Sequence, residues 1–342
     1  MDRFGRVPVL AVGCAGGIVG CCLTAAGCAY ESAALVIAGF AVVGMSQAAI
    51  LLSRAAAADM YPPERRARGI SYVLLGALFG AALGPTVFRP LLAGKDLDLD
   101  ALVLPYLAAA GIMVIGLALV LCVRPDPKTI AETLYPHPGD AGPAAPLGEI
   151  LRRPGVLGAL VAAVSSFAVM VAIMNLTGYI VVDHGHHQQD VFTVISAHIV
   201  GMYALVLVIG RLIDRLGRKP ALVGGLVIEA ASVLALVWFS SVTWTSVALF
   251  GLGLGWNVSY VAAVTELADA TRPAERGRLI GLTDLMSASA GATLALTGGV
   301  VLSEFGVEVL AIAVMLLAAV PAVWVALRGR VPVSATASEA TL

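Results

Sequence analysis

The chain has 342 residues, of which 59% are hydrophobic and 13% charged, with a mean hydropathy of +0.94. Water-soluble domains carry about 25% charged residues, so this composition excludes a globular fold in water and makes the bilayer the solvent. A formal net charge of −1 leaves no electrostatic footprint for nucleic acid or another polyanion.

A helix needs about 20 apolar residues to cross the ~30 Å hydrocarbon layer, and ten stretches meet that length. They are predicted at 7–28, 33–55, 69–91, 101–123, 155–182, 190–213, 220–240, 243–266, 278–302 and 306–328. Asp2, Arg3 and Arg6 precede the first run and no cleavage site follows it, so it reads as a spanning helix rather than a signal peptide. Cys14, Cys21 and Cys28 recur every seven residues along it, with Cys22 alongside. An odd total of five cysteines is no disulfide framework, and the stripe reads as small, polarizable packing groups. Gly76, Gly80 and Gly84 on the third span allow close helix approach. After the fourth span, residues 124–153 hold Pro125, Pro127, Pro136, Pro138, Pro143 and Pro146 without helical periodicity, and are predicted to be a linker. The expected organisation is a bundle of four helices (1–123), a proline-rich linker (124–154), a bundle of six (155–328) and a tail (329–342). The fold class is all-α, a polytopic membrane bundle of about ten spans.

Lysine and arginine asymmetry sets the orientation. Alternate loops place 19 of the 21 basic residues on one side, leaving Arg89 and Lys95 on the other. Both termini and the linker are thereby predicted to be cytoplasmic, in a cell (inner) membrane.

The chain repeats itself. MDRFGRVPVL at 1–10 aligns with IDRLGRKPAL at 213–222, and PPERRARG at 62–69 with PAERGRLI at 273–280. Asp214 follows Asp2 by 212 residues and Glu275 follows Glu64 by 211, so two independent matches share nearly one offset. Two related bundles are the expectation, an arrangement common in transporters. The second bundle has two spans before its IDRLGRK loop and the first has none before MDRFGR. On that count, helices one and two of a twelve-span relative are expected to be absent, through an internal start or a genuine truncation.

Gly210-x-Leu212-x-Asp214-Arg215-x-Gly217-Arg218-Lys219 resembles the signature of major facilitator superfamily transporters, and Asp2-Arg3-x-Gly5-Arg6 resembles its first-half copy. Gly80-x-x-x-Gly84-Pro85 is similar to the fifth-helix antiporter motif of that superfamily, although Phe88 and Arg89 stand where paired glycines follow in the family. The fourth-helix arginine motif is not clear, since Arg54 lies nearer the cytoplasmic end than that motif does. The resemblance implies alternating access around a central cavity. It also makes the paired loops a cytoplasmic latch of Asp2, Arg3, Gly5, Arg6, Asp214, Arg215, Gly217, Arg218, Glu275 and Arg276. Electrostatics supports the latch, because an acid is stabilised at a helix N-terminus: Asp214 is expected to face the helix starting at Gly69, and Asp2 the one starting near Arg278. The competing reading is a solvated basic loop that only fixes topology.

Strongly polar groups at bilayer depth are costly and mark functional sites. Candidates for substrate or proton binding are Gln47, Asn175, His198, Trp256, Asn257, Tyr260 and Asp284, with Thr177 and Tyr179 on the same helices. His198 is read as a packing histidine or a proton carrier, and Asp284 as a proton site or the partner of a loop arginine. Trp256, Asn257 and Tyr260 are read as a substrate wall or an interfacial anchor. Glu229 is expected to pair with a neighbouring helix, and His184, His186 and His187 to be a solvated loop rather than a metal site. There is no G-x-x-x-x-G-K-[ST] loop for primary pumping, and no HExxH or clustered Ser/His for an enzyme. No cofactor or metal is expected. The function expected is secondary transport of a small-molecule substrate, with protons as coupling ion and export favoured by the partial antiporter motif. The alternative is a fragment that does not transport. The oligomeric state is open, with a monomer as the expectation.

Overall fold

The computed structural model describes residues 4–92, 99–134, 144–183, 185–186, 188–238 and 241–327. In order these form α1 (Arg6–Ala29), α2 (Ala33–Leu51), α3 (Ser53–Asp59), a 3-10 turn (Pro63–Arg65), α4 (Arg66–Leu92), α5 (Leu99–Leu121), α6 (Pro127–Leu134) and α7 (Leu147–Leu151). There follow α8 (Val156–Asp183), α9 (Gln188–Tyr203), α10 (Val206–Leu216), α11 (Arg218–Trp238), α12 (Val242–Asp269) and α13 (Pro273–Leu327). Lipid offers no hydrogen bonds to a backbone, so apolar spans of this length satisfy their amides internally as helices. Among the described residues, seven helices are long and apolar enough to cross a membrane, eight if α9 and α10, bent by 42°, count as one span. α13 breaks at Gly306 (φ 81) into two segments, and α4 is helical over 27 residues. Among the described residues the ten predicted spans therefore fall on helices, two of them on broken pairs: 33–55 on α2 and α3, and 190–213 on α9 and α10. The proline-rich stretch differs from expectation, because it holds the two short helices α6 and α7.

Small residues govern the packing of the first bundle. Gly13, Gly17, Gly20 and Gly27 of α1 abut α2 so closely that a Cβ on Gly20 would lie 2.8 Å from the Val43 amide. Ser46 donates to the Gly13 carbonyl at 2.5 Å across the same contact. Cys14, Cys21 and Cys28 are buried, with Gly116 of α5 against Cys14. In the second bundle α12 is central, packed on α8, α9 and α11, while α8 lies along α13. The difference in burial is large: 72% of the apolar window of α12 is buried, against 11% for α2 and for α5. The two bundles meet where α3 touches α12 and α13 and where α4 touches α10 and α12. These contacts bring the arginine-rich loops together.

Candidate functional site

Arg54 on α3 crosses from the first bundle to Asp284 on α13, its Nη2 lying 2.9 and 2.8 Å from the two carboxylate oxygens. Tyr260 of α12 donates its hydroxyl to the same carboxylate at 2.7 Å. The guanidinium also lies 4.9 Å from the centre of the Tyr260 ring, and its Nε donates to the Leu51 carbonyl at 2.9 Å. Both charges are largely withdrawn from solvent, with 2% and 10% of their side chains exposed. Around the pair stands an aromatic cluster. Trp256 stacks on Tyr260 at 5.3 Å, Tyr203 of α9 meets Trp256 edge-on, and Phe167 of α8 leans on Tyr260. Trp256 Nε1 and the Ser287 hydroxyl are buried without a partner among the described residues. The carboxylate is thus held by one fork-shaped cation and one hydroxyl, an arrangement that a proton on Asp284 would weaken by removing its charge.

The arginine-rich loops form a second network, and it is duplicated. Arg6 Nε lies 2.6 Å from Asp59, which also binds Arg276 of the other bundle. Arg218 Nε lies 3.1 Å from Asp269, which binds Arg66 of the other bundle at 2.7 Å. Arg6 donates to the Pro273 carbonyl and Arg218 to the Pro63 carbonyl, so the same exchange occurs in both directions. Gly5 and Gly217 adopt φ +90° and +93°, a region that a side chain would make strained. Asp214 accepts from the Ala67 and Arg68 amides at 3.3 and 3.2 Å, at the first turn of α4, and from Arg218. These two amides lie two residues and one residue before Gly69, where the sequence predicts that helix to start.

The segment between the bundles joins each side of this network. Asp126 accepts from the Arg6, Val7 and Lys128 amides at 2.8 to 3.0 Å and so caps α1. Burial pushes its carboxyl upward, but these three backbone donors outweigh burial and hold it below the ordinary carboxylate value. Arg153 binds Glu275 at 2.6 Å, a hydrogen bond that keeps its guanidinium above the usual arginine range against the pull of burial. Glu275 also takes Arg272 and the Ala145 amide.

The expected site residues separate into groups. Trp256, Tyr260 and Asp284 come together, and Arg54, passed over for its position in the span, joins them. Asn257 is a correction to the expected wall. One residue along a helix turns the side chain about 100°, and Asn257 donates to the Met202 carbonyl of α9 instead. His198 is likewise seated in the α9–α12 contact, its Nδ1 2.9 Å from the Leu249 carbonyl. Asn175 and Thr177 bond to their own helix, at Val171 and Ile173; Asn175, Tyr179 and Gln47 are exposed. Arg215 is exposed and forms no ion pair among the described residues. A side chain on Gly80 would meet nothing, while Gly84 and Pro85 are described only as helical backbone within α4. Asp2, Arg3, His184 and His187 lie outside the described residues. Asp59, Asp126, Arg153 and Asp269 were not foreseen. Asp59 and Asp269 could have been, since they stand 210 residues apart, close to the repeat offset.

Comparison with known proteins agrees with this architecture. The model of the Major Facilitator Superfamily matches residues 1–194 and 163–341. An uncharacterised MFS-type transporter of Bacillus subtilis (strain 168), YdeG, is 31% identical over 309 residues, covering 88% of this chain and 72% of that protein. The riboflavin transporter RfnT of Brucella anthropi is 31% identical over 261 residues, covering 75% of this chain and 62% of its own length. Among solved structures, the fucose:proton symporter FucP of E. coli superposes with a TM-score of 0.76 at 13% identity, over 96% of this chain and 85% of that one; that likeness concerns the fold. The duplicated arginine–aspartate loops, the all-helical apolar fold and these matches lead to one conclusion: the chain belongs to the major facilitator superfamily.

Proposed function

We propose that this chain moves a small molecule across the inner membrane by alternating access coupled to protons, with the arginine-rich face and both termini in the cytoplasm. The observation that carries this reading is the bridge from Arg54 to Asp284 and Tyr260, which spans the two bundles. With the loop network engaged as well, the state described is one closed towards the cytoplasm. A proton on Asp284 neutralises the acceptor of Arg54, leaves a buried cation with a weaker partner, and so favours separation of α3 from α13. Residues 1–123 and 155–328 are the units that rock, joined by the segment at 124–154. Export in exchange for protons is the direction favoured by Gly80, Gly84 and Pro85. Riboflavin, for which one relative is named, is the first compound to screen.

The test is flux in proteoliposomes with an imposed pH gradient. Gradient-driven transport is expected in the native chain, and Asp284→Asn should keep binding while losing the dependence on the gradient. Equal flux with the gradient collapsed would remove proton coupling. A second reading, that these ten spans bind without carrying, is favoured by the low burial of α2 and α5. Its signature would be substrate binding with no flux under any gradient.

A further inference from the structure

Away from the bridge, Ser166 of α8, Glu229 of α11 and Ser259 of α12 meet inside the second bundle, all fully buried. Glu229 Oε1 lies 2.5 Å from the Ser166 hydroxyl and 2.8 Å from the Ser259 hydroxyl. The two hydroxyls are 2.7 Å apart, and Ser259 Oγ is 2.9 Å from the Gly255 carbonyl. Glu229 Oε2 has no partner among the described residues. Among the described residues no cation contacts Glu229. On α8, Tyr179 is the one titratable side chain between Val156 and Val182, 13 residues beyond Ser166. On α12, the nearest is Tyr260, committed to Asp284. On α13, Asp284 is held by Arg54, and Glu308 stands just after the Gly306 break. On α11 itself, Lys219 is ten residues away, about 15 Å along the axis.

Counting hydrogens decides the state of the carboxyl. If it were ionised, both serines would donate to Oε1. The Ser166–Ser259 contact would then hold no proton, the Gly255 carbonyl would lose its donor, and Oε2 would be a bare anionic oxygen in an apolar core. An unpaired buried charge costs several kcal/mol. With one more proton, three of the four contacts carry a hydrogen in a single chain, against two when the carboxyl is ionised, and only the approach of Ser259 to Oε1 is left without one. Oε1–H donates to Ser166, Ser166 donates to Ser259, and Ser259 donates to the Gly255 carbonyl. Oε2 is then a neutral carbonyl oxygen rather than an anionic one. We propose that Glu229 is a proton-binding site, and that the node formed with Ser166 and Ser259 holds a proton between α8, α11 and α12 in the state described. Gly255 precedes Trp256 and Ser259 precedes Tyr260, so loss of that proton turns the Ser259 hydroxyl from the Gly255 carbonyl to Oε1 on the turn of α12 that bears both aromatic residues. The site stands apart from Asp284 and does not depend on the coupling proposed there.

Infrared spectra of the purified chain in lipid test this without substrate or gradient. The difference between native protein and Glu229→Gln at neutral pH should show a protonated-carboxyl C=O band that shifts in D2O and is lost in the variant. Ser166→Ala, which keeps the acid but removes its acceptor, should move the same band. A difference spectrum holding only carboxylate stretches overturns the proposal. If Glu229→Gln does not fold, an unmoved band in Ser166→Ala overturns it equally. Neither result bears on gradient dependence in Asp284→Asn, so the two proposals fail separately.

Discussion

Asp59 accepts from Arg6 and from Arg276 with none of its side chain exposed, so these three charges are tolerated in the fold only as a set. Asp59→Ala leaves two guanidiniums buried without their shared anion, and breaking such a set from one side costs about 3–5 kcal/mol. The counterpart acid, Asp269, is 27% exposed and its partner Arg66 4%; without it Arg66 keeps the Ala268 carbonyl and Arg218 keeps Asp214, so there the expected cost is smaller, about 1–3 kcal/mol. Thermal unfolding of the two variants in one detergent measures the difference. Equal shifts would mean that burial does not separate the two copies of the network. The same pair shows what the sequence makes legible at this scale. The repeat points to Asp214 and Arg218 as residues with counterparts, and an offset of 210 would have added Asp59 and Asp269. Arg54 is hidden for another reason. Its place near the end of a hydropathy window suggests the interface, but the helix breaks at Leu52 and α3 carries it in against α13. A break of that kind is a tertiary feature that leaves no mark in the hydropathy.

The helices themselves were readable because lipid imposes length and apolarity on every span. The short helices between the bundles were not, since proline was counted as a breaker. Pro127 is the first residue of α6, where its missing amide costs nothing and its fixed φ suits a helix start. Which glycines matter is also a question of packing rather than of spacing. Gly201 of α9 lies against the backbone of α12, and a Cβ there would collide with the Phe250 carbonyl. Gly80, in the regular Gly76–Gly80–Gly84 series, would gain a Cβ with no neighbour within 4 Å. Gly201→Ala is therefore expected to force α9 and α12 apart and destabilise by about 1–3 kcal/mol, while Gly80→Ala stays within about 0.5 kcal/mol of the native chain. Unfolding midpoints of both variants, measured without substrate, decide this. A larger loss at Gly80 would show that the α4 track is occupied by a partner in the membrane.

Closure of the arginine-rich face joins the two bundles through polar contacts at the loops and through close packing of α4 on α10, where Ala67, Ile70 and Leu74 share one apolar core with Ile209 and Ile213. Asp214 contributes through the first amides of α4 and through Arg218. Such a charge at a helix N-terminus contributes about 0.3–1 kcal/mol, and up to about 2 when partly buried. Removing it is therefore expected to change the closed-to-open ratio by between twofold and thirtyfold, without unfolding the chain. Ala58 of α3, fully buried at the junction, reports on that ratio when replaced by cysteine in a background lacking the exposed Cys22 and Cys122. A membrane-impermeant thiol reagent applied to the arginine-rich side should label the probe faster in Asp214→Asn by that factor, and at an unchanged rate in Arg215→Gln, whose arginine is exposed and outside the network. Unchanged labelling in Asp214→Asn, with the variant folded, would reduce the motif to a topological signal. Labelling of the DRFGR and DRLGR turns from opposite faces of the membrane would go further, because closure at a shared face requires both copies on one side.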